Sequence, residues 1–115
     1  KTMDEAYKVF QLQKQRLTPL ASFYQITLGN ASALSLEKKI GTLEIGTDAD
    51  IVVLNSNATS AMKIRMQAVN SLSEELFILQ TMGDDRAISQ VYIKGSPVKK
   101  LWVLYKFNLQ LNTKI

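Results

Sequence analysis

Residues 40–54 read IGTLEIGTDADIVVL, and this stretch divides the chain into two unlike halves. Gly41 and Gly46 stand where short extended pieces need tight bends, and glycine accepts the positive φ that such bends require. At least one of the two is therefore expected at positive φ. Thr47-Asp48 makes a turn ahead of Asp50, and Ile51 to Leu54 is an unbroken β-branched and leucine run. Such a run predicts a strand buried on both faces. Helical periodicity dominates before this stretch and strand patterning comes after it, so the fold class is α+β.

On the amino-terminal side, Thr2 and Glu5 have the spacing of a capping box. The first helix is expected over Met3 to Gln15, with Met3, Ala6, Tyr7 and Phe10 on one face. Thr18-Pro19 pairs a capping hydroxyl with proline at the first helical position. The helix it starts directs Leu20, Phe23, Tyr24 and Thr27 toward a core. Gly29-Asn30 interrupts that pattern, and a short third helix spans Ala31 to Leu36. Consecutive helices of this length need a partner layer to cover their apolar faces.

On the other side, Asn55 to Asn70 reads as loop or partial helix. Ser71 and Glu74 form another capping box, which starts a helix over 71–82 with Leu72, Leu76 and Leu79 on a shared face and Gly83 as its stop. Ile88 to Lys94 is a strand, and Gly95-Ser96-Pro97 turns it into a second one beginning at Val98. Beyond it Val103, Tyr105, Phe107, Leu109 and Leu111 alternate with polar residues, the signature of one long half-buried strand over 98–111. The layout is a helical segment at 1–39, a sheet segment with an inserted helix at 40–98, and a tail at 99–115.

Composition excludes several function classes. The 115 residues contain 46% hydrophobic and 21% charged side chains, well inside the range of folded domains. No cysteine is present, which removes any disulfide framework and suits a reducing, cytoplasmic setting. The longest apolar runs are far too short to span a membrane. A net charge of +4 is spread along the chain with only Lys38-Lys39 and Lys99-Lys100 adjacent, so neither a nucleic acid nor a membrane is expected as partner.

The chain also lacks histidine altogether. Zinc and other borderline metals are held by imidazole and thiolate, so no metal site is expected here. The close acidic pairs, Asp48 with Asp50 and Asp84 with Asp85, are read as turn residues, the second pair beside a local partner in Arg86. Ser35-Leu36-Glu37-Lys38 has the S-x-x-K spacing of serine acyltransferases, without the companion motifs that chemistry needs. Asn30-Ala31-Ser32 and Asn57-Ala58-Thr59 fit the glycosylation triplet, a frequent pattern. Gly41-x4-Gly46 has the glycine spacing of a phosphate loop, but Thr47-Asp48 stands in place of lysine and a hydroxyl residue. No catalytic, substrate-binding or metal-ligating residue is assigned.

The chain also carries a family resemblance. Thr18 to Leu36 (TPLASFYQITLGNASALSL) resembles the helical segment near the end of the barrel in the amidohydrolase superfamily. Residues 40–54 resemble the stretch that leads into the small β-sandwich beside that barrel, with Gly41, Leu43, Gly46, Ala49 and Asp50 at its recurring positions. Leu79 to Ile88 (LQTMGDDRAI), together with Val91 to Gly95 (VYIKG), is similar to the closing segment of the guanine deaminase family. Thr2 to Leu12 (TMDEAYKVFQL) resembles that family's helix just after its metal-binding aspartate. Together these cover about residues 1 to 98.

The resemblance implies the C-terminal part of a zinc-dependent hydrolase that converts guanine to xanthine and ammonia, made of the last barrel helices and part of a β-sandwich. The family's metal-binding histidines and aspartate, and its proton-relaying glutamate, all precede the point where this chain begins. The chain alone is then expected to be inactive, to hold no cofactor, and to lack the N-terminal barrel as its partner. Open helix faces and sheet edges predict a homo-oligomer or exchange of elements between copies. The competing reading is a stand-alone interaction domain derived from an amidohydrolase.

Overall fold

Ten short elements make up the computed structural model, which describes residues 1–98; the strand expected over 98–111 lies beyond them from residue 99 onward. Helix α1 covers Thr2–Leu12, α2 Pro19–Tyr24, a π-helical segment Gln25–Gly29, and α3 Asn30–Ala33. Strand β1 (Ile51–Leu54) is succeeded by α4 (Ser60–Met66), α5 (Leu72–Met82), a 3₁₀ turn (Asp85–Ala87), β2 (Ile88–Ile93) and β3 (Ser96–Pro97). This mixture of helices and a small antiparallel sheet is the expected α+β class.

Helix α1 half-buries Met3, Ala6, Tyr7 and Phe10 as their spacing requires. Tyr7 meets Phe77 of α5 edge-on, with ring centroids 5.3 Å apart, an arrangement favoured by the ring quadrupoles. The capping box at Thr2 does not form. Thr2 is already helical, Lys1 is the N-cap, and its carbonyl accepts from the Glu5 N–H at 3.1 Å. The helix also ends before Gln15, because Lys14 turns left-handed at φ 57°. Gln15 N–H then reaches the Phe10 carbonyl (2.9 Å) and Lys14 N–H the Gln11 carbonyl (3.0 Å), the two bonds of a Schellman motif.

The Thr18 hydroxyl accepts from Ala21 N–H at 3.2 Å, with Pro19 at the first helical position, as expected. Gly29 and Asn30 do not interrupt the helix that Thr18 starts; both keep right-handed helical angles, so α2, the π segment and α3 form one continuous rod. Thr27 accounts for the change in winding. Its hydroxyl donates to the carbonyls of Phe23 (2.7 Å) and Tyr24 (3.2 Å) and competes for acceptors that regular α-helical bonds would use. The rod ends at Ser35, left-handed at φ 57°, with Leu36 N–H on the Ala31 carbonyl at 2.8 Å.

The face expected for this rod needs correction. Ser22 (2% exposed) and Ala31 (3%) are the buried positions, whereas Leu20 and Tyr24 are more than half exposed. Small side chains let α2 lie close on α5, so the large apolar ones point elsewhere. A helix apolar on several sides requires cover on several sides.

Residues 40–48 form a closed loop instead of short extended pieces. Asp48 N–H donates to the Lys39 carbonyl at 2.7 Å, and the Thr47 hydroxyl donates to the Glu44 carbonyl at 2.8 Å. Gly41 and Gly46 both take positive φ, at 94° and 100°. At Gly41 the loop crosses the rod so closely that a Cβ would sit 2.9 Å from the Ala31 Cβ and 3.0 Å from the Leu28 Cα.

The sheet order is β1-β2-β3, antiparallel throughout. Ile51 pairs with Tyr92 and Val53 with Gln90, after which a bulge shifts Leu54 opposite Ile88. The hairpin loop is Lys94-Gly95, both at positive φ (48° and 76°), as a two-residue primed turn demands. Ser96 and Pro97, expected as turn residues, therefore pair as β3. Strand β1 is not buried on both faces: Val52 is 56% and Val53 42% exposed.

Residues 55–70 contain α4, whose N-cap Thr59 accepts from Met62 N–H at 3.2 Å. Ser71 caps α5 through Glu74 N–H (3.3 Å), and Glu74 Oε2 accepts from Asn70 N–H (2.7 Å), one residue earlier than a standard box. Met62, Ile78 and Ala87 enclose the core, flanked by Met66, Val69, Leu79 and Met82. The buried centre of α5 is thus Ile78 and Gln80, and Leu72, expected on the core face, is 64% exposed.

Gly41→Ala is expected to destabilise the chain by more than Gly46→Ala. Both substitutions force an L-residue into the left-handed region, at a cost of about 1–2 kcal/mol, but only Gly41 also faces packed atoms, Gly46 having open space around it. Urea unfolding monitored by circular dichroism measures the difference; equal losses would remove the close crossing as an explanation of the motif.

Candidate functional site

A cleft of about 1100 Å³ opens between the start of α1, the α2–π rod, the loop from Ile40, strand β1, and the segment from Leu79 to Ile88. Phe23, Ile26 and Thr27 reach it from the rod, at the i, i+3, i+4 spacing of one helix face. Leu43 enters from the closed loop and Ile51, Val52 and Leu54 from β1. Most of this lining is hydrocarbon.

Lys1, Asp4, Asp50, Thr81, Asp84 and Asp85 bring polar groups to the cleft, and two further lining residues hold buried polar atoms without a partner. Gln80 of α5 is 2% exposed and donates through Nε2 to the Met3 carbonyl at 3.3 Å, while its Oε1 has no hydrogen-bond partner. The Thr42 hydroxyl is likewise buried without a partner. Sequence reading missed both residues. The available signal for Gln80 was an amide directly after the apolar run Phe77-Ile78-Leu79.

Of the acidic pairs noted in the sequence, Asp50, Asp84 and Asp85 all line this cleft, and Asp48 does not. Asp50 Oδ1 accepts from the Lys94 N–H at 2.8 Å, so its carboxylate ties the entrance of β1 to the β2–β3 turn. Asp48 contributes its carbonyl to Asp50 N–H at 2.8 Å, and its side chain is exposed. Asp84 caps the 3₁₀ turn through Arg86 N–H at 2.9 Å and grips the Arg86 guanidinium, with Nε 3.0 and 3.1 Å from its two oxygens. Hydrogen bonds from the Arg86 side chain and then its backbone hold the Asp84 carboxyl below its usual range, and Asp84 raises Arg86 in return. On α1, the hydrogen bonds that the Lys8 ammonium donates to Asp4 and then to Glu5 raise its pKa. Ser35 acts as a helix terminator, and Lys38 is a solvated neighbour.

Among the described residues no three His, Cys, Asp or Glu side chains converge on a point where a metal could sit. The donor set of the chain, with neither imidazole nor thiolate in its sequence, does not fit zinc. Among the same residues no helix is long and apolar enough to cross a membrane.

A family model described as the amidohydrolase family matches residues 2–98. The chain belongs to the amidohydrolase family. Guanine deaminase of Escherichia coli K12 is 44% identical over 94 residues, a match that covers 82% of this chain and 21% of the relative. The rat and human guanine deaminases are 32% and 30% identical over 93 residues, each with 20% of its length covered. In structure, this amidohydrolase chain is similar to E. coli guanine deaminase at a TM-score of 0.82 with 43% identity, across 84% of this chain and 23% of that one. Guanine deaminase from Bradyrhizobium japonicum gives 0.69 with 25% identity. The chain thus spans about a fifth of the length of the curated relatives it matches.

The carboxylates give two expected outcomes. Asp84 should titrate below the ordinary carboxyl range by NMR, and Arg86→Ala should bring it back up. Because the native value is depressed, the pair's stabilisation is present above the unfolded carboxyl pKa and is lost as acid takes pH down through the native one. Asp50→Ala should cost about 1–2 kcal/mol in unfolding free energy through the lost charge-assisted bond to Lys94 N–H. Asp50→Asn, which keeps an acceptor, should cost less. An Asp50→Ala variant as stable as the parent would show that the carboxylate does not hold the turn.

Proposed function

We propose that this chain is the C-terminal portion of a guanine-deaminase-like amidohydrolase, an enzyme that replaces the amino group of guanine with oxygen from water and releases xanthine and ammonia. Residues 1–39 supply the last helices of its barrel, and residues 40–98 supply part of the β-sandwich with α4 and α5 inserted. The observation that carries this reading is the 44% identity to E. coli guanine deaminase across 94 residues, joined to a match of only 21% of that relative.

The role of the chain is scaffolding. Asp4, Glu5, Asp50, Glu74 and Asp84 are engaged in a turn, caps and short ion pairs, and the donor set does not fit zinc, so the metal of the intact enzyme belongs to residues outside the chain. The cytoplasm suits a chain free of cysteine.

The test is a chimaera in which residues 2–98 replace the matching segment of E. coli guanine deaminase. It is expected to release ammonia from guanine, whereas the isolated 115-residue chain should release none and retain no stoichiometric zinc by elemental analysis. A folded chimaera without activity would overturn the assignment to guanine deamination, and turnover by the isolated chain would overturn the scaffolding role.

A further inference from the structure

A second hollow, of about 520 Å³, lies between the second half of α1, the residues that join α1 to α2, the end of α4 and the start of α5. Its volume falls inside the range of about 300–1000 Å³ usual for sites that enclose a small molecule. No residue lines both this hollow and the cleft. Leu17 (6% exposed) and Ile78 (3%) give it an apolar floor. Tyr7 and Phe77, whose ring centroids meet edge-on at 5.3 Å, form an aromatic corner in its wall.

The charged side chains that line it are Arg16, Arg65 and Glu74. Ion pairs among the described residues are those of Lys8 and Arg86, so neither Arg16 nor Arg65 has a carboxylate partner among them. Both arginines are exposed and can be reached from solvent. The Glu74 carboxylate accepts from the Asn70 N–H at 2.7 Å, which engages one of its oxygens at the start of α5. The Thr18 hydroxyl accepts from the Ala21 N–H and keeps its own proton to donate. Two guanidiniums against one engaged carboxylate leave the hollow cationic.

We propose that this hollow binds a phosphate monoester carried on a flat ring, an aryl or nucleoside monophosphate, with Arg16 and Arg65 on the phosphate and the Tyr7–Phe77 corner against the ring. A carboxylate is saturated by one guanidinium fork, whereas a phosphate monoester offers three oxygens and about two negative charges to a pair of them. A bare phosphate would leave the apolar floor in water. An uncharged ring would leave both guanidiniums without an anion. Ring and phosphate must therefore arrive together. This binding is additional to the scaffolding role and does not depend on the reaction assigned above.

Isothermal titration calorimetry of the full 115-residue chain tests it with phenyl phosphate, adenosine 5′-monophosphate, inorganic phosphate and adenosine. The esters should bind saturably at one site, about tenfold more tightly than inorganic phosphate, as stacking of the ring requires. Adenosine should bind at least about tenfold more weakly than its monophosphate, through loss of the charge-assisted bonds. Tighter binding of the phenyl ester assigns a small aryl phosphate, and tighter binding of the nucleotide a nucleoside monophosphate. Arg16→Ala and Arg65→Ala should each weaken ester binding about tenfold, with circular dichroism showing the fold retained. Lys63→Ala, which removes a charge of α4 outside the hollow, should leave it unchanged. An equal loss in all three variants reveals attraction to net charge and overturns the site. Tyr7→Leu should bring the esters toward the affinity of inorganic phosphate and leave inorganic phosphate as it was. Inorganic phosphate bound as tightly as the esters, adenosine bound as tightly as its monophosphate, or no saturable binding overturns the proposal.

Discussion

Enclosure of Met62 is the constraint on which the rest of this structure depends. Its side chain is fully buried between Ile78 of α5 and Ala87 of the 3₁₀ turn, and burial of one such side chain is worth about 1.5–3 kcal/mol. That contact fixes α4 on α5, and α5 in turn is where α1 and α2 pack. Through Ala87 it also positions the start of β2, the central strand of the sheet. Helices and sheet therefore meet at one small cluster, and the molecule has little else to hold it. Among the described residues five apolar side chains are buried, two of them alanines, while sixteen large ones are exposed by more than a third.

That imbalance unites the fold with the family relation. The chain spans about a fifth of the length of the curated relatives it matches, and much of its described surface is apolar. Two of the acidic residues have local partners: Asp50 holds a turn and Asp84 holds Arg86. Both carboxylates also line the cleft.

Sequence patterns revealed the elements whose determinants are local. The caps at Thr18 and Ser71, the face of α1, strand β2 and the positive φ of Gly41 and Gly46 all depend on residues close in sequence. Helix ends at Lys14 and Ser35 were illegible because glycine usually takes the left-handed position, and here a lysine and a serine do. The continuity of the rod through Gly29 was hidden for the converse reason, since its glycine stays right-handed. Burial failed most often. Leu20, Tyr24, Leu72 and Val52 are hydrophobic enough for a core, and periodicity cannot tell which side of a helix or sheet has a neighbour within the same chain. The cleft was illegible likewise: its two unpartnered polar atoms belong to Thr42 and Gln80, brought together only by the fold.

The sheet carries a consequence for the order in which the chain assembles. Strands β2 and β3 meet across the two-residue Lys94-Gly95 turn, so their pairing costs little closure entropy and belongs to the microsecond regime of hairpins. Strand β1 joins β2 only after the chain has passed through α4, α5 and the 3₁₀ turn, and closing so long a loop is unfavourable until contacts inside it repay the entropy. The helical pair around Met62 supplies those contacts. Sheet completion is thereby made contingent on helix docking, which places the bulged β1–β2 ladder late on the folding route and first in line to open when the helical core loosens.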